Sequence, residues 1–335
     1  MATTQLSDII EPSVFTDYVL NRTKELSALF ESEVILPDSQ IAELAMGGGA
    51  TYNMPFWNDL GNTESNVGSD NPASSSTALK IDADQDVSVK HFRNQSWSTM
   101  NLAGVIAGDD PMKRIGDRVA TYWSRDMQRT LIASLNGVIA DNDANDSDDM
   151  IHNVATDGAG AITDAELLTE TNIVNGLLTM GDALEDITAM AMHSVTYGTL
   201  VKRDLIDFIK ASDGTTKIPT YLGRAVIVDD GCPAVAGSNR VTYTTFLFGR
   251  GAIGYGEGAP KKPTEVDNAP AAGDGEGQEF LYSRRHYIMH PRGIKFTSSS
   301  VAGKSPTNTE LAAAANWDRV YERKQVRLAA IKTNG

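Results

Sequence analysis

The chain has 335 residues, 41% hydrophobic and 22% charged, enough apolar material for a packed core and too much for a wholly disordered chain. Lys plus Arg number 29 against 44 Asp plus Glu, a formal charge of −15, so the surface repels phosphate and general nucleic-acid binding is not the expected main activity. The single cysteine, Cys232, excludes an internal disulfide and a cysteine-rich zinc site.

No apolar run approaches the ~18 residues of a membrane span, and the first residues lack the basic-then-apolar pattern of a secretory signal. The expectation is a soluble, acidic protein made inside a cell. Its charge is segregated: residues 25–79 and 130–201 contain no Lys or Arg, whereas 280–335 carry ten basic residues against three acidic ones. In a protein that meets copies of itself, such opposite ends could attract.

Residues 1–45 read as an arm with a short helix. Val14, Tyr18, Val19, Leu26, Leu29 and Phe30 recur at helical spacing, then Pro37 and Gly47-Gly48-Gly49 break the pattern. So short a segment closes no core of its own. Ala50–Trp57 suits a strand, and 58–76 is rich in turn formers. From Leu79 the pattern alternates, Leu79, Ile81, Ala83, Val87 and Val89 on one side against Lys80, Asp82, Asp84 and Lys90 on the other. These segments predict a long two-stranded hairpin with a polar tip. A lone ribbon is marginal in water, so this one is expected to project onto another molecule.

Asp110-Pro111 then supplies a cap and a first-turn proline. Met112, Ile115, Val119, Tyr122/Trp123, Met127, Leu131, Leu135 and Val138/Ile139 form one stripe, predicting a helix over 111–140 about 45 Å long. The run 141–149 (DNDANDSDD) reads as a solvated acidic loop. Beyond it, 164–185 and 195–210 read as helices, and 187–193, 224–229 and 241–248 as core strands. Residues 258–278 read as a loop, 282–290 and 293–297 as strands, and 310–327 as helix-competent.

Several motifs invite a chemical reading. Gly249-Arg-Gly251-Ala-Ile-Gly254 matches G-x-G-x-x-G, but the continuation YGEGAPKKP cannot open the helix that a dinucleotide site needs, so a glycine-rich strand–turn–strand is expected. Asp141, Asp143 and Asn145 match the first calcium-loop positions, yet Asp146 stands where the glycine belongs and His152 where the glutamate belongs. His286 and His290 are four apart in an extended segment, about 13 Å, too far to share one ion. His193-Ser194 shows no evident acid partner, and Cys232 has no positive neighbour to activate it. No catalytic, cofactor or metal site is expected.

The order of arm, projecting hairpin, long helix, compact mixed region and return strands resembles the major capsid proteins of tailed bacteriophages, the Hong Kong ninety-seven-type fold also used by encapsulins. The likeness is carried by GDDPMKRIGDRVATYWSRDMQRTLIASLNGVIAD (108–141), AMAMHSVTYGTLVKRDLI (189–206) and IPTYLGRAVIVDD (218–230). To these are added YTTFLFGRGAIGYGEGAP (243–260), HYIMHPRGIKFT (286–297) and PTNTELAAAANWDRVYERKQV (306–326). The resemblance implies an α+β fold: an N-terminal arm at 1–49, an extended hairpin loop at 50–96, a peripheral domain at 97–159 with its spine helix at 111–140, and an axial α/β domain at 160–262. Residues 263–335 would return to the peripheral domain.

It further implies a structural protein of the virion, not an enzyme, whose copies form hexamers and pentamers of an icosahedral shell around double-stranded DNA. Portal and separate scaffolding proteins would be its partners, with decoration proteins possible. The hairpin would lie on a neighbouring subunit, and Phe15, Tyr18, Trp57, Leu79, Ile81, Val87 and Val89 are the expected assembly contacts. Some relatives join subunits by Lys–Asn bonds from the hairpin; no lysine lies between Lys24 and Lys80, so none is assigned at the tip. An encapsulin-like compartment for protein cargo and a soluble α/β enzyme are the alternatives.

Overall fold

The computed structural model describes residues 35–60, 63–210 and 217–335. The arm contacts expected at Phe15 and Tyr18, and the helical stripe from Val14 to Phe30, lie outside the described residues.

The description begins with strand β1 (Ile35–Pro37) and helix α1 (Ser39–Met46). The Asp38 carboxylate caps α1 by accepting the Gln40 N–H at 2.8 Å. Ile41 and Ala45, four apart, form its buried face. Strand β2 (Thr51–Trp57) pairs antiparallel with the first part of β3 (Ala83–Met100), from Thr51 opposite Val89 to Trp57 opposite Ala83. The hairpin is therefore present, but the described residues of its tip, 58–60 and 63–82, are irregular farther than the 58–76 read from turn formers. Its inner limit also shifts. From Lys90 onward β3 pairs with a later strand and belongs to the main sheet, so the ribbon ends at residue 89 and not at 96.

Helix α2 (Asn101–Ala107) stops at Gly108, whose φ of +65° suits glycine. Helix α3 (Pro111–Asn145) is capped by Asp110, which accepts from the N–H groups of Met112 and Lys113. It spans about 52 Å and runs five residues past the expected end. The acidic run is thus helical at its start. Buried Asn142 holds the turn that follows, accepting the Met150 N–H at 3.0 Å and donating to Asp149 at 2.8 Å. Only from Trp123 onward does α3 bury side chains. Gly137 is obligatory there: a Cβ would lie 2.0 Å from the Leu311 carbonyl oxygen.

After β4 (Ile151–Asn153) the expected helix over 164–185 is broken into a 3-10 turn, α4 (Glu170–Leu178) and a second 3-10 stretch. Thr163 and Glu166 close a capping box and Thr169 caps a fresh start, so local side chains reset the backbone. Strand β5 (Ile187–Met192) and helix α5 (Ser194–Lys202) follow. The helix read over 195–210 ends at Lys202, because Asp204 takes a φ of +56° and the chain re-enters as β6 (Asp207–Lys210).

Strands β7 (Lys217–Tyr221), β8 (Arg224–Val228), β9 (Ala234–Ala236) and β10 (Val241–Gly249) complete the core strands of this region. Strand β11 (Ile253–Gly258) leads to β12 (Thr264–Ala269), within the stretch read as loop. Its polar sequence concealed a strand held by backbone pairing to β13 (Gln278–Pro291), with Arg284 bridging to Glu265 at 3.1 Å. Strand β14 (Ile294–Phe296) is followed by α6 (Asn308–Leu311), β15 (Trp317–Arg319) and β16 (Leu328–Thr333). The helix-competent 310–327 stays helical for a single turn. Asn316 is buried, bonding the Glu310 carbonyl and the Ser300 N–H, and Trp317 drops against Phe296.

Two sheets result. One runs β1–β11–β13–β3–β2 with β12 beside β13, and the other runs β4–β16–β10–β5–β8–β7–β6 with β9 beside β10. The buried half of α3 packs into a single core with Val89, Ile253, Tyr287 and Met289 of the first sheet and Ala191, Phe246, Phe248 and Ala330 of the second. Leu168, Ile173, Met190, Leu200, Leu247 and Ile331 close a second core on the other side of the second sheet. Residues 253–258 pair in the first sheet, and the final strand 328–333 pairs in the second. Leu328/Ala330 and Ala329/Ile331 face opposite cores, so both sides of β16 are covered.

Candidate assembly surfaces

The hairpin has an anchored base and an uncovered end. At the base, Asp86 is buried and accepts from the Gly293 N–H at 3.0 Å, with His290 Nε2 at 2.8 Å. Phe56 stands edge-on to Tyr321, ring centroids 4.7 Å apart. Val89 is 4% exposed and lies in the main core, so it supports the ribbon from within its own chain, whereas Val87 is half-buried. The cause is the length of β3, which carries the alternating pattern out of the ribbon and into the sheet.

Toward the tip the side chains lose cover. Trp57 is 70% exposed, Leu79 64% and Ile81 47%, joined by Leu60 and Val67, which were not singled out. The Asn58 N–H donates to the Asp82 carbonyl at 2.9 Å and closes the ribbon there. Leu79 and Ile81 lie beyond the paired strand, in the irregular tip. Five large apolar side chains between residues 57 and 81 thus stand exposed. A second exposed apolar surface was missed: Leu102, Val105 and Ile106 on α2, with Val105 77% exposed. Its signal is the uncharged run NLAGVIAG at 101–108.

The glycine-rich motif has a packing role. Strand β11, not a helix, begins within the motif at Ile253, as expected of a strand–turn–strand. Gly254, Gly256 and Gly258 alternate along β11 on one face, where a Cβ would meet Ile41 Cδ1 at 2.3 Å, the Ala42 nitrogen at 2.6 Å and the Ala45 oxygen at 2.4 Å respectively. The bare strand is a berth for α1.

The other candidates are used structurally. His193 does have an acid partner: Nε2 lies 3.7 Å from Asp230, while Nδ1 accepts the Val195 N–H as the cap of α5. That occupied Nδ1 leaves it no role as a base toward Ser194. His290 faces Asp86, not His286. Cys232 is buried, and burial with Asp229 and Asp230 nearby pushes its thiol pKa up. Asp141 and Asn145, read as calcium-loop positions, bond each other on the last turns of α3 at 2.7 Å; burial raises the Asp141 carboxyl. The segment is therefore helical through Asn145 and a largely exposed turn only beyond it. No group of three or more potential metal ligands occurs among the described residues.

The segregated charge is largely spent within the chain. Arg319 meets Asp149 at 2.8 Å and Asp146 at 3.5 Å, Lys324 meets Asp182 at 2.6 Å, Arg327 meets Asp186 at 3.4 Å, and Lys332 meets Asp143 at 3.6 Å. The basic C-terminal segment is laid along the acidic middle of its own chain, which corrects the expectation of attraction between copies for these residues.

Solved phage capsids share this fold over nearly the whole chain. The capsid of Ralstonia phage GP4 superposes with a TM-score of 0.62 at 12% identity, covering 99% of this chain and 97% of that one. The Cyanophage Pam1 capsid gives 0.56 at 11%, covering 97% and 100%. The head of Helicobacter pylori bacteriophage KHP40 gives 0.55 at 9%, covering 99% and 97%. The fold is thus that of the tailed-phage capsid proteins, the Hong Kong ninety-seven type.

The sequence narrows this class. Residues 45–327 match the Gp13-like family, described as major capsid protein 13-like, and the chain belongs to that family. It is 42% identical to the major capsid protein of Bacillus phage SPP1 over 99% of this chain and 98% of that protein. It is a structural protein of a phage virion, a major capsid protein that builds the icosahedral shell from copies of itself.

Proposed function

We propose that this chain assembles as hexamers and pentamers in which the hairpin tip, residues 57–82, is covered by another copy, and that the closed shell holds double-stranded DNA. The observation that carries the reading is the exposed set Trp57, Leu60, Val67, Leu79 and Ile81 at the end of a ribbon whose base is firmly held. An apolar cluster of that size in water is unfavourable, and burying each 100 Å² of it contributes about 2.5 kcal/mol before ordering costs. Repeated at every subunit boundary, modest contacts sum to a durable shell.

In this reading the first sheet with α3 is the peripheral domain and the second sheet the axial domain at the ring centre. Residues 1–49 form the arm, anchored where α1 sits on β11. The −15 charge suits a wall that encloses a polyanion without gripping it. Portal, scaffolding and decoration proteins are the partners such a shell calls for.

Replacing 58–82 by a short Gly-Ser turn tests the proposal. The expected protein unfolds at the same temperature as the parent, since both cores lie elsewhere, yet yields no closed particles by electron microscopy. Normal particles from this variant would overturn the role given to the tip.

A further inference from the structure

The ribbon joins the body through an anchor that is polar and buried. Cross-strand pairing puts Tyr52, Met54 and Phe56 of β2 on the same face as Ser88, Asp86 and Asp84 of β3. On that face Asp86 is 4% exposed. One of its carboxylate oxygens lies 2.8 Å from Nε2 of the fully buried His290, and the other accepts the Gly293 N–H at 3.0 Å. Gly293 makes the turn from β13 to β14 with a φ of +82°, and its carbonyl accepts the N–H groups of Val320 and Tyr321 at 3.0 and 3.1 Å. A Cβ on Gly293 would lie 2.5 Å from the Tyr321 ring, the same ring that meets Phe56. Both strands of the ribbon therefore rest on one corner, β3 through Asp86 and β2 through Phe56.

The opposite face is open. Thr51, Asn53, Pro55 and Trp57 point that way and are exposed. Thr51, Gln85 and Val87 line a cleft of about 450 Å³ across from Lys295, Thr297 and Ser298.

A buried carboxylate is a costly way to hold a strand if stability alone is at stake, because an apolar side chain at the same inward position serves as well or better. What it adds is direction. Apolar contact is non-directional, whereas two polar contacts to one carboxylate fix the tilt of the strand that carries it. Direction matters because the ribbon is a lever. From Asp86 to Ala83 is about 10 Å, and half of the loop beyond, about 12 residues, reaches up to ~43 Å further. A tilt of about 20° at Asp86 would displace a point about 30 Å out by about 10 Å, well past the ~4.5 Å range of a side-chain contact.

We infer that the corner formed by Asp86, His290 and Gly293 aims the ribbon. Asp86, with Phe56 on the partner strand, is a positioning residue that fixes the direction in which the tip leaves each copy before it meets another. This rests on the reading of the tip as an intersubunit contact and names the part of the chain that brings the contact within reach.

Two spin labels on unassembled chains test the aim, one at Met46→Cys on α1 and one at Ala83→Cys at the end of the paired ribbon. Both sites are exposed, and Cys232 is buried. The otherwise unchanged chain should give one narrow distance peak. Asp86→Ala should broaden it by about 3 Å, the arc that a tilt of about 20° sweeps at that radius. The same variant, unlabelled, should yield about tenfold fewer closed particles, the size of one lost hydrogen bond. Asp86→Asn, whose amide can still bond both partners, should restore the narrow peak and the yield.

An Asp86→Ala peak as narrow as the parent's overturns the inference and leaves the reading of the tip standing. A broad peak with a normal yield does the same, provided that the variant lacking 58–82 makes no particles. Particles from that tipless variant overturn the reading of the tip itself. Should Asp86→Ala fail to fold, Phe56→Ala gives the readout from the other strand: it should broaden the peak likewise, and an unchanged peak overturns the aiming corner.

Discussion

The imidazole of His91 is fully buried in the first sheet, stacked on Tyr287 with ring centroids 5.1 Å apart. Burial first, then the Arg93 charge, lowers its pKa to about 3 from 6.5. A base depressed in the folded state binds fewer protons there than when unfolded, so its contribution is whole above pH 6.5 and drains away as pH falls toward 3. Urea unfolding should register about 2 kcal/mol less stability at pH 5 than at pH 7 from this group alone. In His91→Phe that fraction of the slope should vanish; an unaltered slope would refute the assignment. Nothing in the sequence marks His91, because an alternating strand tells which residues share a face but not whether a helix covers it. Val89 was misread for the same reason. It continues the period of Leu79 and Ile81, yet a long strand passed from exposed ribbon to covered sheet between them.

At the scale of elements, the hairpin and α3 were legible because each rests on local chemistry: alternation for the ribbon, an Asp-Pro cap and a long apolar stripe for the helix. Misreadings gathered where tertiary partners override local preference, at the polar β12, at the single-turn α6 and at the broken 164–185 region. The glycine motif is the instructive case. Its match to a nucleotide fingerprint is accidental, and the period-two glycines at 254, 256 and 258 are what α1 requires. Gly256→Leu would drive a side chain into the Ile41–Ala42 backbone and expel α1, uncovering Ile41 and Ile288. The expected cost is about 3 kcal/mol, with new protease cleavage at residues 38–50. Gly48→Ala, with nothing within 4 Å of its Cβ, serves as the neutral control. Equal stability of the two variants would refute the berth.

For the whole molecule, the charge segregation apparent in the sequence acts chiefly within the chain, laying the C-terminal segment along the end of α3 and the 3-10 stretch before β5. Such pairs add little stability singly, but they help fix where the chain returns. Among the apolar side chains that the fold leaves uncovered are those at the ribbon end and on α2, at opposite ends of β3. The α2 surface escaped the sequence reading because a short uncharged run looks the same whether buried or exposed.

The central claim is that residues 57–82 find their cover on another copy. A cryo-electron microscopy reconstruction of assembled particles tests it directly. The account predicts a closed shell of six- and five-membered rings, with density for Leu79 and Ile81 crossing a subunit boundary. A tip folded back on its own sheet, or particles in which it stays bare in solvent, would contradict it.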